Sequence, residues 1–275
     1  MTYNEDFKSE FICGDCFELL KEVPDEFVDL VLTDPPYGID YQSNRRVARE
    51  KLPKFANDVD LSWVESWVEQ IYRVLKTDTH FYCFTRFDTY PVFYNAISRL
   101  FKVKNCLIWV KNNHGSGDLN GSFAPQSEMI IFAVKGKRHL NGLRDSDVLE
   151  CENVPSAYRE HATQKPVKLL RQLIEKSTKL NEIVLDPFAG SGSTGFACLD
   201  TNRQKGDRDI RRYLLFELNP EFRDSAIRGG LASQASLDGM PAPRTPDEIA
   251  PKKRDTVRTT RYRAKKDQTL WLDLA

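Results

Sequence analysis

The apolar residues fall into short dense runs separated by longer amphipathic stretches. Residues 9–13 (SEFIC), 28–33 (VDLVLT), 80–85 (HFYCFT), 104–110 (KNCLIWV), 128–134 (EMIIFAV), 182–186 (EIVLD) and 213–218 (YLLFEL) read as buried strands. Between them, CFELLKEV (16–23) and LSWVESWVEQIYRVL (61–75) carry apolar positions at helical spacing. In the second, Glu65 follows Ser62 by three residues and predicts a capping-box start. A third helix is expected over KPVKLLRQLIEKSTKL (165–180), opened by Pro166 in its first turn. Strands alternating with helices predict an α/β protein with a doubly wound, mostly parallel sheet.

The intervening segments have other textures. Residues 39–60 are polar and basic, with SNRRVAREK at 43–51, and read as a long loop. Residues 111–126 (KNNHGSGDLNGSFAPQ) form a loop rich in glycine and asparagine, and 136–164 show no clear period. Beyond Ile227 four prolines and three glycines gather in RGGLASQASLDGMPAPRTPDEIAP, which reads as linker. The expected organisation is a domain over 1–227 followed by a linker and basic tail over 228–275.

Charge and cysteine content narrow the chemistry. The 275 residues balance 40 Lys and Arg against 40 Asp and Glu, yet eight of the basic residues and only three acids lie in 251–275. A basic tail on a mildly acidic body fits either a polyanionic partner or a solvated tail. The six cysteines are scattered, several inside apolar runs, as reduced packing residues are. The C-x-x-C of CGDC (13–16) has no second pair with which to hold zinc, so no metal is expected. No apolar run approaches eighteen residues and the N-terminus is polar, so an intracellular, soluble protein is expected.

Two strand ends carry the chemistry. VDLVLT runs into TDPPYG (33–38), where adjacent prolines stop backbone pairing and fix a corner bearing Asp34 and Tyr37. VLDPFAGSGST (184–194) ends a strand on Asp186, passes through a glycine loop and opens a helix near Ser193. It lacks the lysine of a nucleotide-triphosphate loop, and an aspartate leading the glycines suits a ligand with an amine or sulfonium. Glu217 ends the following strand, where an acid takes ribose hydroxyls in doubly wound folds.

With HATQKPVKLL (161–170), these motifs resemble the amino-group DNA methyltransferases, which modify adenine N6 or cytosine N4. The likeness covers roughly 9–227, and the catalytic motif precedes the cofactor motif, as in the β group of that family. It implies a seven-stranded, Rossmann-like methyltransferase fold, S-adenosylmethionine as cofactor and DNA as partner. By this resemblance Asp34, Pro35, Pro36 and Tyr37 act on a base flipped from the duplex. Asp186, Phe188, Ala189, Gly190 and Gly192, with Thr163 and Lys165, would surround the methionine end. Glu217 would take the ribose, and Asp15, Cys16 and Phe17 the adenine moiety.

The expected DNA contacts are Arg45, Arg46 and Arg49 in the loop after the corner, and Lys252, Lys253 and Arg254 in the tail. Target recognition is expected from the short segments 111–126 and 137–160. Adenine is favoured because the motif begins with Asp34, where cytosine-N4 enzymes more often carry serine. A cytosine-N4 enzyme is the alternative, followed by an RNA or protein-glutamine methyltransferase and a catalytically silent relative. The family further implies a prokaryotic or phage-encoded cytoplasmic protein, associated with the nucleoid, with a homodimer and a cognate restriction nuclease as partners to be considered.

Overall fold

The computed structural model describes residues 3–4, 6–37, 61–115, 120–154, 164–203 and 211–231. Eight strands form a single sheet: β1 (Glu10–Cys13), β2 (Val28–Thr33), β3 (Leu75–Thr85), β4 (Lys102–Val110), β5 (Ser127–Lys135), β6 (Val148–Glu150), β7 (Ile183–Asp186) and β8 (Arg212–Glu217). Their order across the sheet is β1-β8-β7-β2-β3-β5-β4-β6. Only β5 runs against its neighbours, pairing antiparallel with β3 and β4, so the sheet is mostly parallel. The carboxyl ends of β1, β8, β7, β2 and β3 therefore share one edge.

Alternation along the strands feeds two apolar layers. Val31, Phe81, Cys83, Ile131 and Leu185 face one side, with α1 (Cys16–Glu22), α2 (Val64–Val74) and α3 (Tyr90–Leu100) packed over them. Leu30, Leu32, Tyr82, Phe84, Ile130 and Val184 face the other, covered by α4 (Val167–Ser177), α5 (Ser193–Arg203) and α6 (Pro220–Arg228). With both faces covered, VDLVLT is buried at every position, and four of its six residues are apolar. Of its two polar residues, Asp29 receives Lys76 Nζ at 2.8 Å and the Ile183 amide at 2.9 Å, fastening β2 to the starts of β3 and β7.

The sequence expectations hold for all seven strands and three helices, with differences at the margins. The eighth strand, β6, forms in the aperiodic stretch after 136 and lies beside β4 at the sheet edge. It occupies part of the second expected recognition segment, while 116–119 and 155–163 lie outside the described residues. α3 has no counterpart in the pattern-based reading. α2 starts one residue after the expected cap at Ser62: Trp63 holds the cap position with no side-chain cap bond of its own, and Glu65 pairs with Arg99 of α3 at 2.6 Å. The indole of Trp63 instead packs 5.8 Å from the rings of both Phe17 and Phe188, and this burial sets where the helix begins. Beyond Ile227, the expected domain end, the chain continues into Leu231, which is fully buried in the second layer. No described helix is long and apolar enough to cross a membrane.

The glycine loop joins this packing to the edge. Gly192 has φ +79, and a Cβ there would lie 2.6 Å from Leu231 Cδ1 and 3.2 Å from Ala226 Cβ. Gly190 has φ +52 but would meet nothing within 4 Å. Gly192→Ala is therefore expected to cost about 2–4 kcal/mol, backbone strain plus overpacking, and Gly190→Ala about 1–2 kcal/mol from strain alone. Urea unfolding of the two variants checks the order; equal losses would refute it.

Candidate active site

The corner after β2 is held from three sides. Chain pairing stops at Thr33, and Asp34 to Tyr37 adopt no regular structure, as the two prolines require. The Tyr37 hydroxyl donates to Asp34 Oδ1, and Lys165 Nζ donates to Asp34 Oδ2 at 2.5 Å. The same ammonium lies 3.1 Å from Glu128 Oε2, and Glu128 Oε1 is 2.6 Å from Lys111 Nζ. Lys165 also stands 5.1 Å from the centroid of the Phe84 ring.

Lys165, Asp34 and Glu128 have side chains only 8, 19 and 20% exposed, so their charges interact with little screening. Burial opposes the Lys165 ammonium, but the carboxylates of Asp34 and Glu128 outweigh it and raise its pKa. Burial lifts Asp34, helped by Glu128 and opposed by Lys165. For Glu128, burial is outweighed by Lys165 and Lys111, and the carboxyl is lowered. Burial also raises Tyr37 and Cys83 well above their ordinary ranges, which keeps both neutral.

The second strand end organises a loop rather than a charge cluster. Asp186 is 5% exposed; its Oδ2 accepts from Thr194 Oγ1 at 2.6 Å and its Oδ1 from the Phe188 amide at 3.1 Å. Burial pushes its carboxyl up to about 6 despite these bonds. Glu217 accepts the Gly190 amide at 2.8 Å and the Asn219 amide at 2.9 Å, so one carboxylate ties the glycine loop to the start of α6. Its pKa is raised, chiefly by burial. The Ala189 amide bonds Phe216 O at 2.9 Å, which draws the loop across the end of β8.

On the neighbouring strand, Gly14 donates to Glu217 O at 2.9 Å, and Asp15 caps α1 by accepting the Phe17 amide at 2.8 Å. Cys16 is buried, and burial raises its thiol pKa. The C-x-x-C is thus a strand-to-helix junction, and among the described residues no group of His, Cys, Asp and Glu could hold a metal.

The fold brings most of the residues singled out in the sequence to one edge: Asp15, Cys16 and Phe17 after β1, Glu217 at β8, Asp186 through Gly192 after β7, and Asp34 through Tyr37 after β2. Lys165, grouped with the cofactor loop in the sequence reading, sends its ammonium to the Asp34 corner, because a buried ammonium needs carboxylate partners. Thr163, Arg45, Arg46, Arg49, Lys252, Lys253 and Arg254 lie outside the described residues.

Three residues escaped the sequence reading. Glu128 and Lys111 flank the 111–126 loop at the ends of two strands, and only the antiparallel β4–β5 pairing brings them to the corner. Trp63 stands between Phe17 and Phe188, forming an aromatic wall beside the loop. Its signal, an aromatic residue opening a helix, looks like ordinary core. A Cβ at Gly190 would meet nothing within 4 Å, so the loop backbone held by Glu217 borders open space.

Comparison with known proteins gives this geometry a family. The model of a DNA methylase family of the N6/N4 type matches residues 28–228. YubD of Escherichia coli (strain K12), which carries a methylase name, is 34% identical over 234 residues, covering 83% of this chain and 93% of its own. The DNA adenine methyltransferase YhdJ of the same organism is 25% identical over 251 residues, 79% of this chain and 81% of its own. Among solved structures, the cytosine-N4-specific PvuII DNA methyltransferase superposes with a TM-score of 0.62 at 17% identity, over 83% of this chain and 88% of its own. The family match and the 34% relative together show that this chain belongs to the N6/N4 family of DNA methyltransferases.

Proposed function

We propose that the protein transfers a methyl group from S-adenosylmethionine to the exocyclic N6 of an adenine flipped out of DNA. The observation that carries this reading is the Asp34 corner, a carboxylate fixed by two prolines on the same edge as the glycine loop and Glu217. An exocyclic amine is a poor nucleophile because its lone pair is delocalised into the ring. Asp34 and the Pro35 carbonyl accept its two hydrogens, draw the nitrogen toward tetrahedral geometry and stabilise the positive charge that develops there. Pro36 keeps these acceptors rigid, so little reorganisation accompanies the reaction. Tyr37 leaves Asp34 to stack on the flipped base, a contact worth about 1–3 kcal/mol against the few kcal/mol that flipping costs.

The cofactor supplies an electrophilic methyl group on a sulfonium. Glu217 takes its ribose hydroxyls with the lone pairs left beside its two amide bonds. Asp15, Cys16 and Phe17 receive the adenine moiety against the wall completed by Trp63. Phe188, Ala189, Gly190 and Gly192 line the methionine end, and Asp186 holds that loop in shape; Thr163 is proposed to contribute to cofactor binding, and Lys165 acts at the Asp34 corner. The aspartate at position 34 supports adenine over cytosine N4, the other base the family modifies. Arg45, Arg46 and Arg49 hold the duplex near the corner, and the tail with Lys252, Lys253 and Arg254 adds contact that does not read sequence. A prokaryotic cytoplasm, where restriction–modification systems work, fits this activity.

Three outcomes are expected. Asp34→Asn should abolish methyl transfer in a tritiated-methyl assay while leaving cofactor affinity within about threefold, since Asp34 acts on the amine. Turnover near wild type would remove the clamp, and nucleoside mass spectrometry showing N4-methylcytosine without N6-methyladenine would overturn the base assignment. Glu217→Ala should weaken S-adenosylmethionine binding by roughly 10- to 100-fold, as a charge-assisted hydrogen bond is worth about 1.5–3 kcal/mol; unchanged affinity by calorimetry would take Glu217 out of the site. Deleting residues 251–275 should flatten the salt dependence of DNA binding yet leave the methylated sequence unaltered. Methylation of a different set of sites would mean that the tail reads bases.

A further inference from the structure

Asp34 is already engaged before any base arrives. Tyr37 occupies Oδ1, and the Lys165 ammonium occupies Oδ2 at 2.5 Å. When Tyr37 leaves Oδ1 to stack on the base, the target amine still shares the carboxylate with that ammonium. As the methyl group transfers, the amine itself becomes cationic, and a second cation on Oδ2 would then oppose it. Yet an ammonium buried to this degree cannot leave a carboxylate for an apolar surface, because desolvation costs several kcal/mol.

The structure holds a second carboxylate within reach. Glu128 Oε2 lies 3.1 Å from Lys165 Nζ, so a small shift of the lysine exchanges one partner for the other. Glu128 is itself fixed. Its Oε1 meets Lys111 Nζ at 2.6 Å, and that ammonium lies 5.0 Å from the Trp109 ring centroid. Trp109 sits opposite Glu128 in the β4–β5 ladder, and its indole N–H donates to Cys151 O at 2.8 Å. Backbone pairing, an aromatic face and a hydrogen bond thus set the carboxylate in place.

We propose that Glu128 is a positioning residue that draws the Lys165 ammonium off Asp34 when the target amine binds, leaving the carboxylate's charge to the amine. The proposal rests on the reading of Asp34 as the amine clamp. Glu128 touches neither base nor cofactor in this scheme; it acts through Lys165. Without its charge, Lys165 has Asp34 as its one carboxylate partner in the cluster and stays there.

The test is a double-mutant cycle in the full-length chain, with tritiated S-adenosylmethionine and genomic DNA from a methylation-deficient bacterium. Glu128→Gln is expected to lower kcat about 10- to 100-fold, with DNA KM and cofactor affinity within about twofold. Glu128→Asp, which keeps the charge, should recover most of that loss. In a Lys165→Met background, assayed at the pH plateau of that variant, Glu128→Gln should cost less than about threefold, because no ammonium remains to be moved.

The acid limb of kcat/KM gives a second readout. Among the described residues, the titratable groups that act on Asp34 are Tyr37 from its own corner, Cys83 on β3, Glu128 on β5, Lys165 before α4 and Asp186 on β7, and Lys111, just after β4, acts on Glu128. Tyr37 and Cys83 stay neutral. Removing the Glu128 charge takes away a repulsion and leaves Lys165 to Asp34, so the limb should move to lower pH even as the rate falls. Equal costs of Glu128→Gln in both backgrounds, an unmoved limb, full activity of Glu128→Gln or a loss of cofactor affinity would each overturn the proposal. Active Asp34→Asn would instead defeat the clamp reading beneath it. An inactive Asp34→Asn beside a fully active Glu128→Gln would defeat the Glu128 proposal alone.

Discussion

A buried ammonium ion organises the reactive edge of this protein. Lys165 stands just before α4, Asp34 just after β2 and Glu128 at the start of β5, and nothing in their sequence spacing draws them together. Once the sheet has taken the three side chains out of water, each charge depends on the others, since an unpaired one would cost several kcal/mol. The cluster therefore ties the antiparallel half of the sheet to its parallel half at the corner after β2. It also explains why the corner is rigid without any regular structure of its own.

The second organising constraint is geometric. Parallel strands deliver their carboxyl ends to one edge, and each of the four strands that matter stops with a residue able to bind or shape a ligand: Asp15 just past β1, Asp34 just past β2, Asp186 on β7 and Glu217 on β8. Layers of helices on both faces leave that edge as the exposed end of an otherwise dry sandwich. Several of these carboxylates spend part of their hydrogen-bonding capacity on the protein itself. Glu217 holds Gly190 and Asn219, and Asp186 holds Thr194 and Phe188. The loop shape and the capacity to bind thus share the same atoms.

Much of this was legible in the sequence because strands buried on both faces leave a plain mark. VDLVLT and YLLFEL could hardly be anything else, and the residues that terminate them announced the site. What escaped depends on contacts between distant segments. Glu128 reads as the polar first residue of a strand until β5 is placed antiparallel to β4 and its side chain meets Lys111. Trp63 has the pattern of a core aromatic, and its place beside Phe17 and Phe188 follows from where α2 enters the fold. The helix start shifted by one residue for a related reason: packing of that indole puts Trp63 rather than Ser62 at the cap. The edge strand β6, three residues long, is too short for any periodicity to reveal.

The strand order has a consequence for how the chain is made. β1 precedes the other seven described strands in the chain, yet its partner in the sheet is β8, the last of them to leave the ribosome. β2, at the centre of the sheet, likewise waits for β7 on one side. β2 keeps an open hydrogen-bonding edge until residue 186 has emerged and β1 until residue 217, and the pairings that close them span most of the described fold. A ribosome stalled between β6 and β7 would hold a chain bearing the Asp34 corner beside an uncapped sheet, a species suited to aggregation and to capture by chaperones.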